Sequence, residues 1–192
     1  MGNQNLRSSL RKLVRMRECN LKEPDMGVAL QKRASLEDSA RIVPLEDVSD
    51  PSLRDLLSYW EQIRAGRDMP ARREIMPTVF PRLMPRMFMV RVQEGPSFVY
   101  SLAGNETVEA HGDNFTGMDV RELDRHAPGY GTSMQRFYSS IVRSRRPCAA
   151  EGSLQFVNRG FCRFKSIYLP LASGEGTVSH IMGAAAYEMG SA

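Results

Sequence analysis

LLSYWEQIRAGR at residues 56–67 and MPARREIMPTVFPRLMPRMFMVRV at residues 69–92 carry the change of period that decides the fold. Leu53, Leu56, Leu57, Trp60 and Ile63 recur at helical spacing, so one face of this segment is apolar. Asp50-Pro51 supplies an N-cap acid and a proline at the first helical position, and Gly66 supplies a stop. Pro70, Pro77, Pro81 and Pro85 then forbid a long continuous helix and fix a series of corners. From Met87 the period becomes two, and residues 87–92 and 98–103 read as a hairpin joined by Gln93-Glu94-Gly95-Pro96.

Beyond the hairpin, Asn105 caps a short helix ending near Gly112, and Thr116 followed by Asp119 resembles a capping box for another. Met134, Phe137, Tyr138, Ile141 and Val142 mark a longer helix that Pro147 stops. Strands are expected over residues 154–157, 161–171 and 177–187, with turns at Asn158-Arg159-Gly160 and Ser173-Gly174-Glu175-Gly176. Hairpins at both ends with helices between them predict an α+β fold: a five-stranded antiparallel sheet, short helices on one face and an N-terminal amphipathic helix.

The chain has 192 residues, 42% of them hydrophobic and 25% charged, which suits one domain with a real core. Residues 1–45 carry nine Lys/Arg against five Asp/Glu, a surplus equal to the whole net charge of +4, and the remainder balances at 17 of each sign. A balanced body lacks the basic face that phosphate backbones require, so a nucleic-acid partner is not expected. Within this basic leader, Leu6, Leu10, Leu13 and Val14 beside Arg7, Arg11, Lys12 and Arg15 form a short amphipathic pattern suited to weak membrane-surface contact. The expected organisation is a leader at 1–45, a domain at 50–187 and a tail at 188–192. No apolar run is long enough to span a bilayer, and the start lacks the apolar stretch of a secretory signal, so a cytoplasmic location is expected. Cys19, Cys148 and Cys162 are too few and scattered for a disulfide framework and have no zinc spacing.

In its particulars the sequence resembles the bacterial type-five PAS family. Trp60, Gly66-Arg67, Pro70 with Arg72, Ile75 with Pro77, and Pro81, Leu83 and Pro85 follow that family's opening in order. FVYSLAGNETVEAHGDNFTG at 98–117 continues with its strand, Gly turn, short helix and terminal Thr-Gly, and FKSIYLPLA at 164–172 is similar to its penultimate strand. Asn105-Glu106-Thr107 departs from the family's more usual Thr-x-Ile or Thr-x-Val start. The resemblance implies a sensory or interaction domain of bacterial signal transduction that acts through protein contacts and borrows its output from an unidentified signalling protein.

Members of such a fold hold haem, flavin or small metabolites between sheet and helices, or hold nothing. The resemblance places Tyr100, Leu102, Phe164 and Tyr168 from strands, with Val108, Phe115, Phe137 and Ile141 from helices, around that space. Tyr100 and Tyr168 would offer hydroxyls to a ligand. It also places Leu53, Leu56, Leu57 and Trp60 on the outer sheet face or against a second subunit, which predicts a homodimer. A haem needs an axial imidazole, but His111 and His126 sit beside polar or turn residues, and His180 lies in a strand. A photoactive flavin needs a reactive Cys near residues 112–117, where there is none. No cofactor or metal is required by the sequence.

Enzyme signatures are missing as well: no GxSxG, Walker A, GxGxxG or HExxH motif occurs. Ser179 and His180 should alternate across a strand, and Glu106 and Glu109 suit a helix N-terminus better than acid–base work. The sequence is read as that of a non-enzyme. Two readings stand at this point: a contact-mediating adaptor, and a sensor whose metabolite or haem controls dimerisation.

Overall fold

Asp50 caps the first long helix with its side chain: Oδ1 accepts the Leu53 amide at 3.0 Å. This helix is α2 (Pro51–Arg64) in a computed structural model that describes residues 35–95, 97–174 and 176–190. It ends where Ala65 and Gly66 both take left-handed φ. Before it lie α1 (Leu36–Ser39), capped reciprocally by Ser35 and Asp38, and β1 (Ala40–Val43). The basic pattern expected over residues 6–17, and Cys19, lie outside the described residues.

The proline-rich connector resolves into three 3-10 turns, Arg72–Glu74, Pro77–Val79 and Met84–Arg86. It is pinned at both sides: the Ala172 amide donates to the Pro70 carbonyl at 2.8 Å, and the Met76 amide donates to the Tyr59 hydroxyl at 3.1 Å. The hairpin β2 (Met87–Gln93) and β3 (Ser97–Ala103) follows as expected. Next come α3 (Asn105–His111), a 3-10 segment Val120–Arg125 and α4 (Tyr130–Ser144). The N-cap of α3 is Gly104 rather than Asn105, and the capping box is made by Asp119 with Glu122 rather than by Thr116.

β4 (Cys148–Leu154), β5 (Arg159–Ala172) and β6 (Val178–Met189) complete one antiparallel sheet in the order β1-β4-β5-β6-β2-β3. Among the described residues it has six strands, not five. The added edge strand β1 comes from residues assigned by sequence to the leader, and it pairs Ala40–Val43 against residues 149–152. The strand expected at 154–157 is displaced too, because Gln155–Val157 forms a 3-10 turn and the strand precedes it. Cys148-Ala149-Ala150-Glu151-Gly152-Ser153 has no bulky alternation and becomes a strand through its neighbours on both sides. Gly152 permits this pairing, since a Cβ there would lie 2.1 Å from the Ser39 carbonyl oxygen.

The sheet is covered on both faces. On one, α2 packs on β5 and β6, where Ile167, Leu169, Leu171, Met182 and Ala184 are fully buried. Leu53, Leu56 and Trp60 are also fully buried, and Leu57 is half-buried. Trp60 Nε1 donates to the Pro170 carbonyl at 2.9 Å. Of the two places expected for this apolar stripe, the outer sheet face and a second subunit, it takes the first within the chain, because that face needs cover and α2 is the element tethered beside it. On the other face, α3 and α4 stand over the opposite side chains of the same strands.

Candidate functional site

Between the sheet and helices α3 and α4 is a cavity of about 50 Å³, measured as space open to the centre of a water molecule. One water needs ~10–15 Å³ on this measure, so the space holds roughly three or four. Five of the chain's six tyrosines line it: Tyr100, Tyr130, Tyr138, Tyr168 and Tyr187. β6 makes room for these rings with small residues. Ala185 borders the cavity, and Gly183 lies under the Phe88 ring, whose Cζ would be 2.0 Å from any Cβ there.

The rings brace one another. Tyr100 meets Phe115 edge-on at 4.5 Å between centroids, and Tyr130 lies 4.7 Å from Phe156. The Tyr100 and Tyr138 hydroxyls are hydrogen-bonded at 3.0 Å. Ser166 Oγ donates to the Ala150 carbonyl and shares a second bond with the Tyr168 hydroxyl, each at 3.2 Å. Thr107 is buried, and its Oγ1 has no partner of ordinary hydrogen-bond geometry, although the Tyr187 hydroxyl is close enough to feel it. His111 Nδ1 is 2.9 Å from the Thr107 carbonyl. A carbonyl only accepts, so Nδ1 carries the proton and Nε2 is the acceptor.

Among the described residues no Asp, Glu, Lys or Arg lines the cavity. Burial pushes the Tyr100, Tyr130, Tyr138 and Tyr187 hydroxyls well up, and Tyr168 up to about 12 with Ser166 partly offsetting it. Burial, reinforced by the charge of Arg159, lowers His111 to about 4. Every group of the wall is therefore neutral near pH 7. His111, Phe115 and Tyr130 also border an outer cavity of about 180 Å³, where His126 Nδ1 lies 3.3 Å from Asp113 Oδ2.

Of the eight residues placed around this space by the resemblance, Tyr100, Phe115, Phe164 and Tyr168 line the inner cavity, and Leu102, Val108, Phe137 and Ile141 do not. Leu102 is 39% exposed because the register slips opposite Met89 and Val90, leaving Ser101 as an extra residue that reverses the alternation. On α4 the inward row is Tyr130, Met134 and Tyr138, and Phe137 packs beside it against Tyr168 at 4.7 Å. On α3 the row is Thr107 and His111, one position off Val108. Both rows are i,i+4 series readable in the sequence once the phase of the helix is known. His111, expected at a helix end facing polar residues, turns into the wall. Leu36 of α1 also lines the cavity and had no signal in the sequence.

Elsewhere, the expectation that Ser179 and His180 point apart fails: Ser179 Oγ lies 3.1 Å from His180 Nδ1. Leu171 pairs with His180 and Ala172 with Val178, so Ser179 bulges out of the alternation. Burial and the charges of Arg72 and Arg91 lower His180. Glu106, in the first turn of α3, lies 3.9 Å from Arg86 Nε. Burial raises the Cys148 thiol to about 12 and raises Cys162, so neither is an activated thiolate. Among the described residues there is no cluster suited to a metal ion, and no helix is long and apolar enough to cross a membrane.

An antiparallel sheet with helices folded over an aromatic cavity defines an α+β module of the sensor type. The family model for the PAS domain matches residues 48–186, and the chain belongs to that family. Among solved structures it is similar to the PAS domain of Bordetella pertussis BvgS, at 16% identity and a TM-score of 0.45, over 60% of this chain and 85% of that one. It is also similar to an RNA-binding Light-Oxygen-Voltage receptor, at 16% identity and a TM-score of 0.39, over 64% of this chain and 34% of that one. No curated protein matches the chain.

Proposed function

We propose that this protein is a sensory PAS module of bacterial signal transduction whose inner cavity takes a small molecule, and whose contacts with other proteins change when it does. The observation that carries the reading is the cavity itself: five neutral tyrosines, a threonine and a histidine line a space inside an otherwise close-packed core. Interiors rarely leave room for several waters unless polar groups hold something there. Haem and flavin do not fit, because drug-sized ligands need sites of ~300–1,000 Å³. A ligand shifts contacts only through its differential affinity for two conformations.

The reading includes a cytoplasmic, non-catalytic role, self-association as a homodimer and a signalling partner that supplies the output. With Leu53, Leu56 and Trp60 occupied inside the chain, such contacts use other surfaces than the buried face of α2. The test is thermal denaturation across a library of small metabolites, with light scattering on every compound that raises the melting temperature. A stabilising compound that also changes the oligomeric state supports the reading. No stabilising compound would defeat it.

A further inference from the structure

Resting on the reading of the cavity as a ligand site, we infer that its ligand is a small uncharged carbonyl compound, an amide or ketone of a few non-hydrogen atoms. Three independent features of the wall converge on this class.

The first is the absence of charge. An ion entering this cavity loses its water and finds, among the described residues, no Asp, Glu, Lys or Arg in the wall to replace it. The second is size: room for roughly three or four waters admits a molecule of comparable bulk and excludes larger metabolites.

The third is the balance of hydrogen-bonding groups. Tyr100 and Tyr138 share one hydrogen bond between two hydroxyls, so one proton of the pair is left to donate elsewhere. Tyr130 brings a further hydroxyl to the same wall. Thr107 Oγ1 is buried without a well-formed bond. By contrast, Ser166 and Tyr168 are already satisfied by each other and by the Ala150 carbonyl. Each unspent hydroxyl can give a proton as well as receive one, and the protons left over are met by an acceptor oxygen on the ligand. The acceptor in the wall with no proton of its own is His111 Nε2, which matches the N–H of an amide. The aromatic walls complement a flat group between them.

Acetamide and acetate differ in charge and hardly in shape, which makes them the direct probes. Propanone adds an uncharged carbonyl without N–H, and methylammonium adds a cation. Each is titrated into the full chain while tyrosine ring signals are followed by NMR. Acetamide and propanone should shift the Tyr100, Tyr130 and Tyr138 signals saturably, and acetate and methylammonium should not. Tyr130→Phe should weaken acetamide about three- to ten-fold, the value of one hydrogen bond, while the variant melts near the parent. His111→Leu should weaken acetamide more than propanone. Saturable binding of acetate at equal or greater affinity overturns the class but leaves a sensor of charged ligands standing. Fixed tyrosine signals with all four probes also overturn the class, and the metabolite library then decides the sensory reading separately. Acetamide binding that is indifferent to Tyr130→Phe and His111→Leu overturns the assignment of the donors and acceptor.

Discussion

Replacing Trp60 by Phe tests whether α2 belongs to its own sheet. Two losses add at this site. The Pro170 carbonyl loses the Nε1–H donor at 2.9 Å, and a buried acceptor without a partner costs ~1–3 kcal/mol. The smaller ring also removes part of an indole that is 1% exposed, worth about 1 kcal/mol at ~25 cal/mol per Å². Together they predict a loss of ~2–4 kcal/mol, or roughly 5–15 °C in melting temperature for a chain of this size. Circular dichroism is the assay, because Trp60 is the chain's single tryptophan and the variant loses its fluorescence signal. In the parent, Trp60 emission should be blue-shifted and resist quenching by acrylamide. A variant melting within about 2 °C of the parent, less than a ~1 kcal/mol loss would give, together with a quenchable parent indole, would refute the docking of α2 on β5 and β6.

Gly183→Ala should displace the Phe88 ring, since the new Cβ would fall 2.0 Å from its Cζ. The expected cost is ~1–3 kcal/mol by urea denaturation, partly recovered when Phe88→Leu is added, and strict additivity would count against this packing. Gly152→Val should detach β1, because its Cβ would meet the Ser39 carbonyl oxygen at 2.1 Å. Hydrogen exchange should then lose protection at 40–43 while β5 and β6 keep theirs, and unchanged protection would refute the close approach. With a folded pKa of about 4 against an ordinary 6.5, His111 lets the unfolded chain bind more protons between those values, so stability should fall as pH drops from 6.5 to 4. An NMR titration in which His111 protonates near pH 6.5 would contradict its burial.

How far the sequence reaches can be judged from individual residues. Asp50-Pro51, the Leu53–Trp60 stripe and the hairpin at 87–103 were legible because a cap, a helical face and a two-residue alternation are set by near neighbours. Tyr100, Phe115, Phe164 and Tyr168 line the inner cavity, whereas Leu102, Val108, Phe137 and Ile141 are turned off it by the phase of a helix or the parity of a strand. One bulged residue, Ser101, turned Leu102 outward, and one position of phase put Tyr138 rather than Phe137 on the cavity. Neither shift leaves a mark in local composition.

The sequence by itself determined the α+β class, the family, the long helices and the neutrality of the body. It also marked Tyr100 and Tyr168 as candidate cavity hydroxyls. Only the tertiary structure decided that residues 40–43 are a sixth strand, that β4 is a strand at all, and that Trp60 faces its own sheet. It also decided that five tyrosines and His111 share one uncharged cavity. Residues 40–43 become a strand only on partners about 110 residues away, residues 148–154 only between that strand and β5, and the cavity walls depend on the phase at which several elements meet. These are long-range contacts that no local run of residues encodes.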